Sequence, residues 1–226
     1  MNEENNDKIR VLLADDHPAM RKGIARMLMD SPDIEIVGEA ETGKEAQEKV
    51  AELRPDILLL DLILPDVRPY EVEEWVRTNL PETTTLIITG HQREYFLAQA
   101  IKAQVAGFLT KDLHAEQLVA AIRQAARGES LFNEEQFERA ARWQQEVGIP
   151  WASLSQREKN VLCWLAEGLS NEQIAETLKI APKTIENYLW RILHKLPVDS
   201  RSEAIAWVLK NIPEAWREEY RQSNGK

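Results

Sequence analysis

Residues 56–65 read DILLLDLILP, and the fold turns on how this stretch is read. Within it DILLLDL is an apolar stretch of strand length. Bounded by Pro55 and Pro65, it fits a strand buried on both faces. Such a strand belongs in a parallel sheet covered by helices, and Asp61 then stands at its carboxyl end, where sheets of this kind gather functional groups. The flanking sequence repeats the pattern. IRVLLA, IEIVGEA, TTLIITG and AGFLTK are further apolar runs of strand length. Between them lie PAMRKGIARMLMD, KEAQEKVAEL, YEVEEWVRTNL, EYFLAQAIKAQ and HAEQLVAAIRQAARG, whose apolar positions recur every three or four residues. The expectation for residues 8–130 is an α/β domain with a doubly wound, five-stranded parallel sheet and right-handed crossovers.

After Gly128 the strand signal stops. ESLFNEEQFERAARWQQEVGIPWAS mixes a short helical pattern with Gly148 and Pro150, so residues 131–151 are expected to form an ordered linker. From Leu154 onward the period is helical throughout, in SQREKNVLCWLAEG, NEQIAETLK, PKTIENYLWRILHKL and RSEAIAWVLK. Residues 152–212 are therefore expected to form an all-α four-helix domain, with 213–226 as a tail for which the sequence suggests no role. Two domains also suit a chain of 226 residues.

The net charge is −10 and unevenly spread. Residues 1–149 hold 17 Lys and Arg against 28 Asp and Glu, whereas residues 150–226 hold 11 against 10. A nucleic-acid contact, if present, belongs to the second part. No window approaches the roughly 18 apolar residues of a membrane span, and MNEENNDKIR is polar and acidic, so a cytoplasmic protein is expected. The single Cys163, within VLCWLA, suits core packing and cannot form an internal disulfide.

Four kinds of group fall at the carboxyl ends of the expected strands: Asp15 and Asp16 after the first, Asp61 after the third, Thr89 after the fourth and Lys111 after the fifth. Carboxylates converging on one spot repel unless a hard divalent cation shares them, and carboxylates with water suit Mg²⁺. With that charge offset, Asp61 can attack a phosphoryl group to form an acyl phosphate. Thr89 and Lys111 supply donors for the remaining phosphoryl oxygens.

These residues, with DLILP after the central Asp and GFLTK around the Lys, resemble the receiver domain of two-component response regulators over about residues 8–130. The resemblance implies a flavodoxin-like fold and a phosphoacceptor Asp61 served by a histidine kinase. It further implies Mg²⁺ held by Asp16, Asp61 and the carbonyl of Ile63, with Asp15 acting through water, and Phe108 as the aromatic switch. Two positions depart from the pattern. Pro69 replaces a usual Gly, which predicts a stiffer loop, and Asp112 follows the lysine where many relatives carry Pro in a cis peptide. A competing enzyme reading, a haloacid-type phosphohydrolase, needs a second acid two residues after the nucleophile. Ile63 stands there, so no enzyme is expected.

In the second domain Ser170 or Asn171 caps NEQIAETL, KIA turns, and Pro182 opens the next helix, which is the sequence form of a helix-turn-helix. LSQRE, VLCWLAEGLSNEQIAETL and KTIENYLWRILHKL resemble the DNA-binding domain of the NarL/LuxR family over about residues 152–212. That implies a homodimer formed through RSEAIAWVLK on two operator half-sites, with Lys183, Thr184, Glu186, Asn187, Trp190, Arg191 and His194 as DNA contacts. Glu186 stands where relatives commonly carry Lys. Pro197 replaces a usual Gly and rules out a left-handed helix end there, so this helix must terminate differently. The reading is a phosphorylation-regulated transcription regulator that binds double-stranded DNA. The alternative, supported by Glu186 and the near-neutral second part, keeps the receiver and makes the helical domain a protein-interaction module.

Overall fold

The computed structural model describes residues 8–68, 70–90 and 93–222. The expectation attached to Pro69 lies outside them, as does the end of the tail. Two compact units divide the chain, Met1–Ala140 and Ala141–Lys226.

In the first unit strands and helices alternate as expected: β1 (Ile9–Ala14), α1 (Pro18–Leu28), β2 (Ile34–Ala40), α2 (Gly43–Leu53), β3 (Ile57–Leu60), α3 (Glu71–Asn79), β4 (Thr84–Thr89), α4 (Glu94–Ala103), β5 (Gly107–Thr110) and α5 (Ala115–Ala126). All strand pairs are parallel, in the order β2-β1-β3-β4-β5. This is the flavodoxin-like order. Val11, Leu13, Ile57, Leu59, Leu86 and Ile88 cluster with Ile24 and Leu28 of α1 and Leu118 and Ile122 of α5. The alternate residues Leu12, Leu58, Leu60 and Ile87 face the other way and are equally buried. Burial on both faces explains why ILLL carries no polar position, each side chain stabilising the fold by about 1.5–3 kcal/mol.

The loop after β3 is fixed from outside. Asp66 accepts from the backbone N–H groups of Gly43 (2.6 Å) and Lys44 (3.1 Å), so it caps α2 while holding residues 61–68 against it. Gly43 permits this approach, since a Cβ there would lie 2.2 Å from Val67 Cγ2. On the far side of the loop Tyr70 adopts φ 69° and donates its hydroxyl to the carbonyl of Phe96 in α4. No cis peptide occurs among the described residues, in keeping with Asp112 after the lysine.

Helix α6 (Glu134–Trp143) runs across the boundary between the units. The second unit continues with a π-helical segment (Gln144–Gly148), α7 (Ile149–Ser153), α8 (Gln156–Ala166), α9 (Asn171–Leu178), α10 (Pro182–Lys195), α11 (Arg201–Asn211) and α12 (Glu214–Gln222). Capping boxes start α8 (Ser155 with Glu158) and α9 (Ser170 with Gln173). Glu158 also pairs with Lys195 at 2.6 Å, tying the start of α8 to the end of α10. Helix α10 stops without a left-handed residue. Leu196 turns extended (ψ 152°), the conformation favoured before a proline, as Pro197 leads one to expect.

The ends of this unit hold more structure than the sequence conveys. Trp151, read as the last linker residue, is buried, stacked on Trp207 (6.3 Å) and edge-on to Tyr220 (5.5 Å), with the Lys159 ammonium 5.3 Å from its ring. The tail forms α12, which packs on α8 and pairs Arg221 with Glu167. No helix among the described residues is long and apolar enough to cross a membrane.

Candidate functional site

β1 and β3 lie side by side, and the Asp61 N–H donates to the Ala14 carbonyl at 2.8 Å, so Asp15 and Asp61 leave the sheet at the same level. Two strands away Lys111 follows β5, held by its N–H on the Thr89 carbonyl at 3.1 Å. Its Nζ lies 2.6 Å from Asp15 Oδ2 and 2.6 Å from Asp61 Oδ2. Asp15 is fully buried and Asp61 nearly so, while Asp16 is one-third exposed beside them. One ammonium thus bridges two carboxylates, with a third next to them in the chain.

The charges are poised accordingly. Burial pushes the Asp61 carboxyl above the usual range, its bond to Lys111 pulls the other way, and the neighbouring Asp15 charge adds to the rise. Burial works against the Lys111 ammonium, but hydrogen bonds to Asp15 and Asp61 outweigh it and hold its pKa above the usual value. Asp15 Oδ2 and Asp16 Oδ1 are buried atoms, the first 2.6 Å from Lys111 Nζ and the second 2.5 Å from His17 Nδ1. Single ligand atoms from Asp15, Asp16, His17 and Asp61 all lie within 4.8 Å of one another. With three carboxylates among its members, this donor set fits a hard divalent cation such as Mg²⁺.

The site opens into a cleft of about 390 Å³ lined by His17, Ala19, Met20, Asp61, Ile63, Gly90 and Lys111. Ile63 is on its rim, with its N–H 3.4 Å from Asp61 Oδ1. Thr89 is fully buried at the end of β4 and does not line the cleft, although its neighbour Gly90 does. Phe108 is half-buried on β5, in register with Ile87.

Two residues escaped the sequence reading. The His17 N–H donates to Asp15 Oδ1 at 2.8 Å, and its Nδ1 lies 2.5 Å from Asp16 Oδ1. His17 takes the N-cap position of α1. Arg21, one turn into α1, is buried and donates to the Asp15 carbonyl at 2.7 Å while pairing with Glu39 and Glu41. DDHP carries the first in plain sight. The second has no local signal, because its partners come from β2 and the residue after it.

In the second unit α9 and α10 form the expected helix-turn-helix. Ile185 and Ile192 are buried, and Lys183, Glu186, Asn187, Trp190, Arg191 and His194 share the exposed face, with Thr184 half-buried in the first turn. Lys183 and Glu186 form an ion pair with each other. Trp190 is 62% exposed and its ring centroid lies 4.0 Å from that of His194, whose Nδ1 is 2.8 Å from the Trp190 carbonyl.

Residues 11–123 match the response regulator receiver domain, and residues 152–208 match the bacterial regulatory proteins of the luxR family. The chain belongs to the two-component response regulators of the LuxR type, a receiver domain followed by a helix-turn-helix domain. Among its relatives is the response regulator protein VraR of Staphylococcus aureus, 33% identical over 203 residues that cover 90% of this chain and 97% of that protein. Among solved structures, the signal receiver domain of NarL from Mycobacterium tuberculosis is 35% identical with a TM-score of 0.53, covering 55% of this chain and all of that one. The RcsB response regulator of Salmonella typhimurium shares the fold at 21% identity and a TM-score of 0.63, covering 89% of this chain and all of that one.

Proposed function

We propose that this chain is a phosphorylation-controlled transcription regulator of the cytoplasm, in which residues 8–130 receive a phosphoryl group from a histidine kinase and residues 152–212 bind operator DNA as a homodimer. The observation that carries the reading is the meeting of Asp15, Asp61 and Lys111 at 2.6 Å in the floor of an open cleft. An Asp61 oxygen attacks the phosphorus of a phosphohistidine, and the O–P bond forms as the P–N bond breaks and the nitrogen leaves with the bonding pair. Lys111 moves one contact from Asp61 to a phosphoryl oxygen, and the Thr89 hydroxyl turns in to take another. Asp16, Asp61 and the Ile63 carbonyl would hold Mg²⁺, with Asp15 through water, and the ion would draw charge off the phosphoryl oxygens. Displacement of Thr89 makes room for Phe108 to swing inward, which biases the face of α4, β5 and α5 towards dimer formation. Lys183, Thr184, Glu186, Asn187, Trp190, Arg191 and His194 then contact DNA. No catalytic turnover is assigned to the chain.

The test is phosphoryl transfer from a kinase, or from a small acyl phosphate, with Mg²⁺ present. Labelling and dimer formation are expected in the wild type and neither in Asp61→Asn; a variant that still labels or still dimerises on phosphodonor treatment overturns the mechanism. The Lys183–Glu186 pair favours one other reading, a helical unit that contacts protein. Failure of the activated protein to select any duplex at low salt would support that reading instead.

A further inference from the structure

We propose that Trp190 is a specificity-determining residue that reads thymine through its C5-methyl group. The inference rests on the DNA-binding role proposed for α10 and names what that helix seeks. Every other large apolar side chain on α10 is buried or half-buried, namely Ile185, Tyr188, Leu189, Ile192 and Leu193. Trp190 alone among them turns its ring to solvent, at 62% exposure.

It is also held in place. The contact between the carbonyl of Trp190 and Nδ1 of His194 makes that nitrogen the donor, which orients the imidazole, and the imidazole packs 4.0 Å from the indole centroid. One side of the indole is thereby covered and the remainder displayed in a restricted orientation, which lowers the entropy lost on contact. The residues around it on the helix face are polar or charged: Glu186, Asn187, Arg191 and His194. Apolar protein-docking patches are contiguous, and α10 offers no second exposed large apolar side chain to extend one. A single apolar group set among polar ones matches the floor of the major groove, where the thymine methyl is the one apolar group among donors and acceptors. The charges point the same way. With Lys183 engaged by Glu186 and Lys195 by Glu158 of α8, Arg191 is the one lysine or arginine of α10 without an acidic partner among the described residues, so non-specific phosphate attraction is weak and base contact must contribute more of the affinity.

The experiment is to select half-sites from random duplexes with the full-length activated protein, then replace each thymine in the selected site by deoxyuridine, which removes only the methyl. The expected result is one position per half-site at which wild-type affinity falls about four-fold, the worth of one buried methyl, with no change at the other thymines. Trp190→Ala is expected to bind more weakly and to be insensitive at that position, whereas Trp190→Phe keeps part of the discrimination. Deoxyuridine without effect anywhere in the wild-type site overturns the inference while leaving DNA binding intact, and leaves Trp190 to a protein partner. Equal sensitivity in Trp190→Ala also overturns it. If no duplex is selected at all, the proposed DNA-binding role falls and the inference with it. The deoxyuridine scan on unmutated protein keeps the test independent of how the variants fold.

Discussion

Lys111 bridges two buried carboxylates, and breaking such a bridge leaves Asp15 and Asp61 facing each other without compensation. Lys111→Ala is expected to destabilise the first unit by roughly 3 kcal/mol in metal-free buffer. Because a divalent cation then becomes the remaining source of positive charge, Mg²⁺ should recover more stability in the variant than in the wild type. Denaturant midpoints with and without Mg²⁺ check this, and an equal Mg²⁺ effect in both proteins would contradict it. A second residue far from the site makes a separate claim. Glu73 in α3 is 3% exposed, its Oε2 has no partner, and burial pushes its pKa up to about 7. A carboxyl raised in the fold above its ordinary value of 4.5 favours folding while protonated, and that contribution is lost as pH climbs from 4.5 through about 7. Glu73→Gln should therefore raise the unfolding free energy at pH 8, by an amount on the order of 2 kcal/mol, and much less at pH 5, as denaturant titrations at the two pH values would show. At this scale the sequence was most legible where chemistry sits at a strand end: Asp15, Asp16, Asp61, Thr89 and Lys111 each follow an apolar run. Arg21 and Glu73 were opaque because their meaning depends on neighbours distant in sequence.

The helices show which local signals suffice. Ser170 before NEQI, Pro182 at the first turn and Pro197 after the last each set a helix end by their own backbone chemistry, so the limits of α9 and α10 could be read directly. Ser170→Ala should lower stability of the second unit by about 1 kcal/mol, measured by thermal or chemical unfolding, with no change in the first. α12 was not legible as a packed element. EAWREEYRQ is polar in composition, and its Tyr220 meets Trp151 from sixty-odd residues earlier in the chain. Trp151→Ala should cost roughly 3–5 kcal/mol, as for a large aromatic removed from a core, and truncation before Glu214 should produce a loss in the same unit. If residues up to 151 were only a tether, the substitution would leave the unfolding midpoint unchanged.

Across the whole molecule the acid is concentrated in residues 1–149, and the helical part is almost neutral. With Lys183 and Arg191 as the basic side chains of the exposed α10 face, a homodimer on two half-sites should show a slope of log affinity against log salt of about −2 to −4, at about −0.9 per phosphate. A slope near −10 would mean that basic surface outside α10 carries the binding. The fold as a whole was readable because a doubly wound sheet writes its strands as unbroken apolar runs, while the line between the two units was not, since α6 crosses it. The aromatic stack beside α8 has a practical corollary. Of the seven tryptophans only Trp75 belongs to the first unit, and Trp143, Trp151, Trp164, Trp190, Trp207 and Trp216 all lie in the second. Intrinsic fluorescence of the intact chain is thus an optical channel dominated by the helical unit, with the Trp151–Trp207–Tyr220 stack and its adjacent ammonium as a built-in reporter whose emission shifts when that unit opens, whatever the sheet domain is doing at the time.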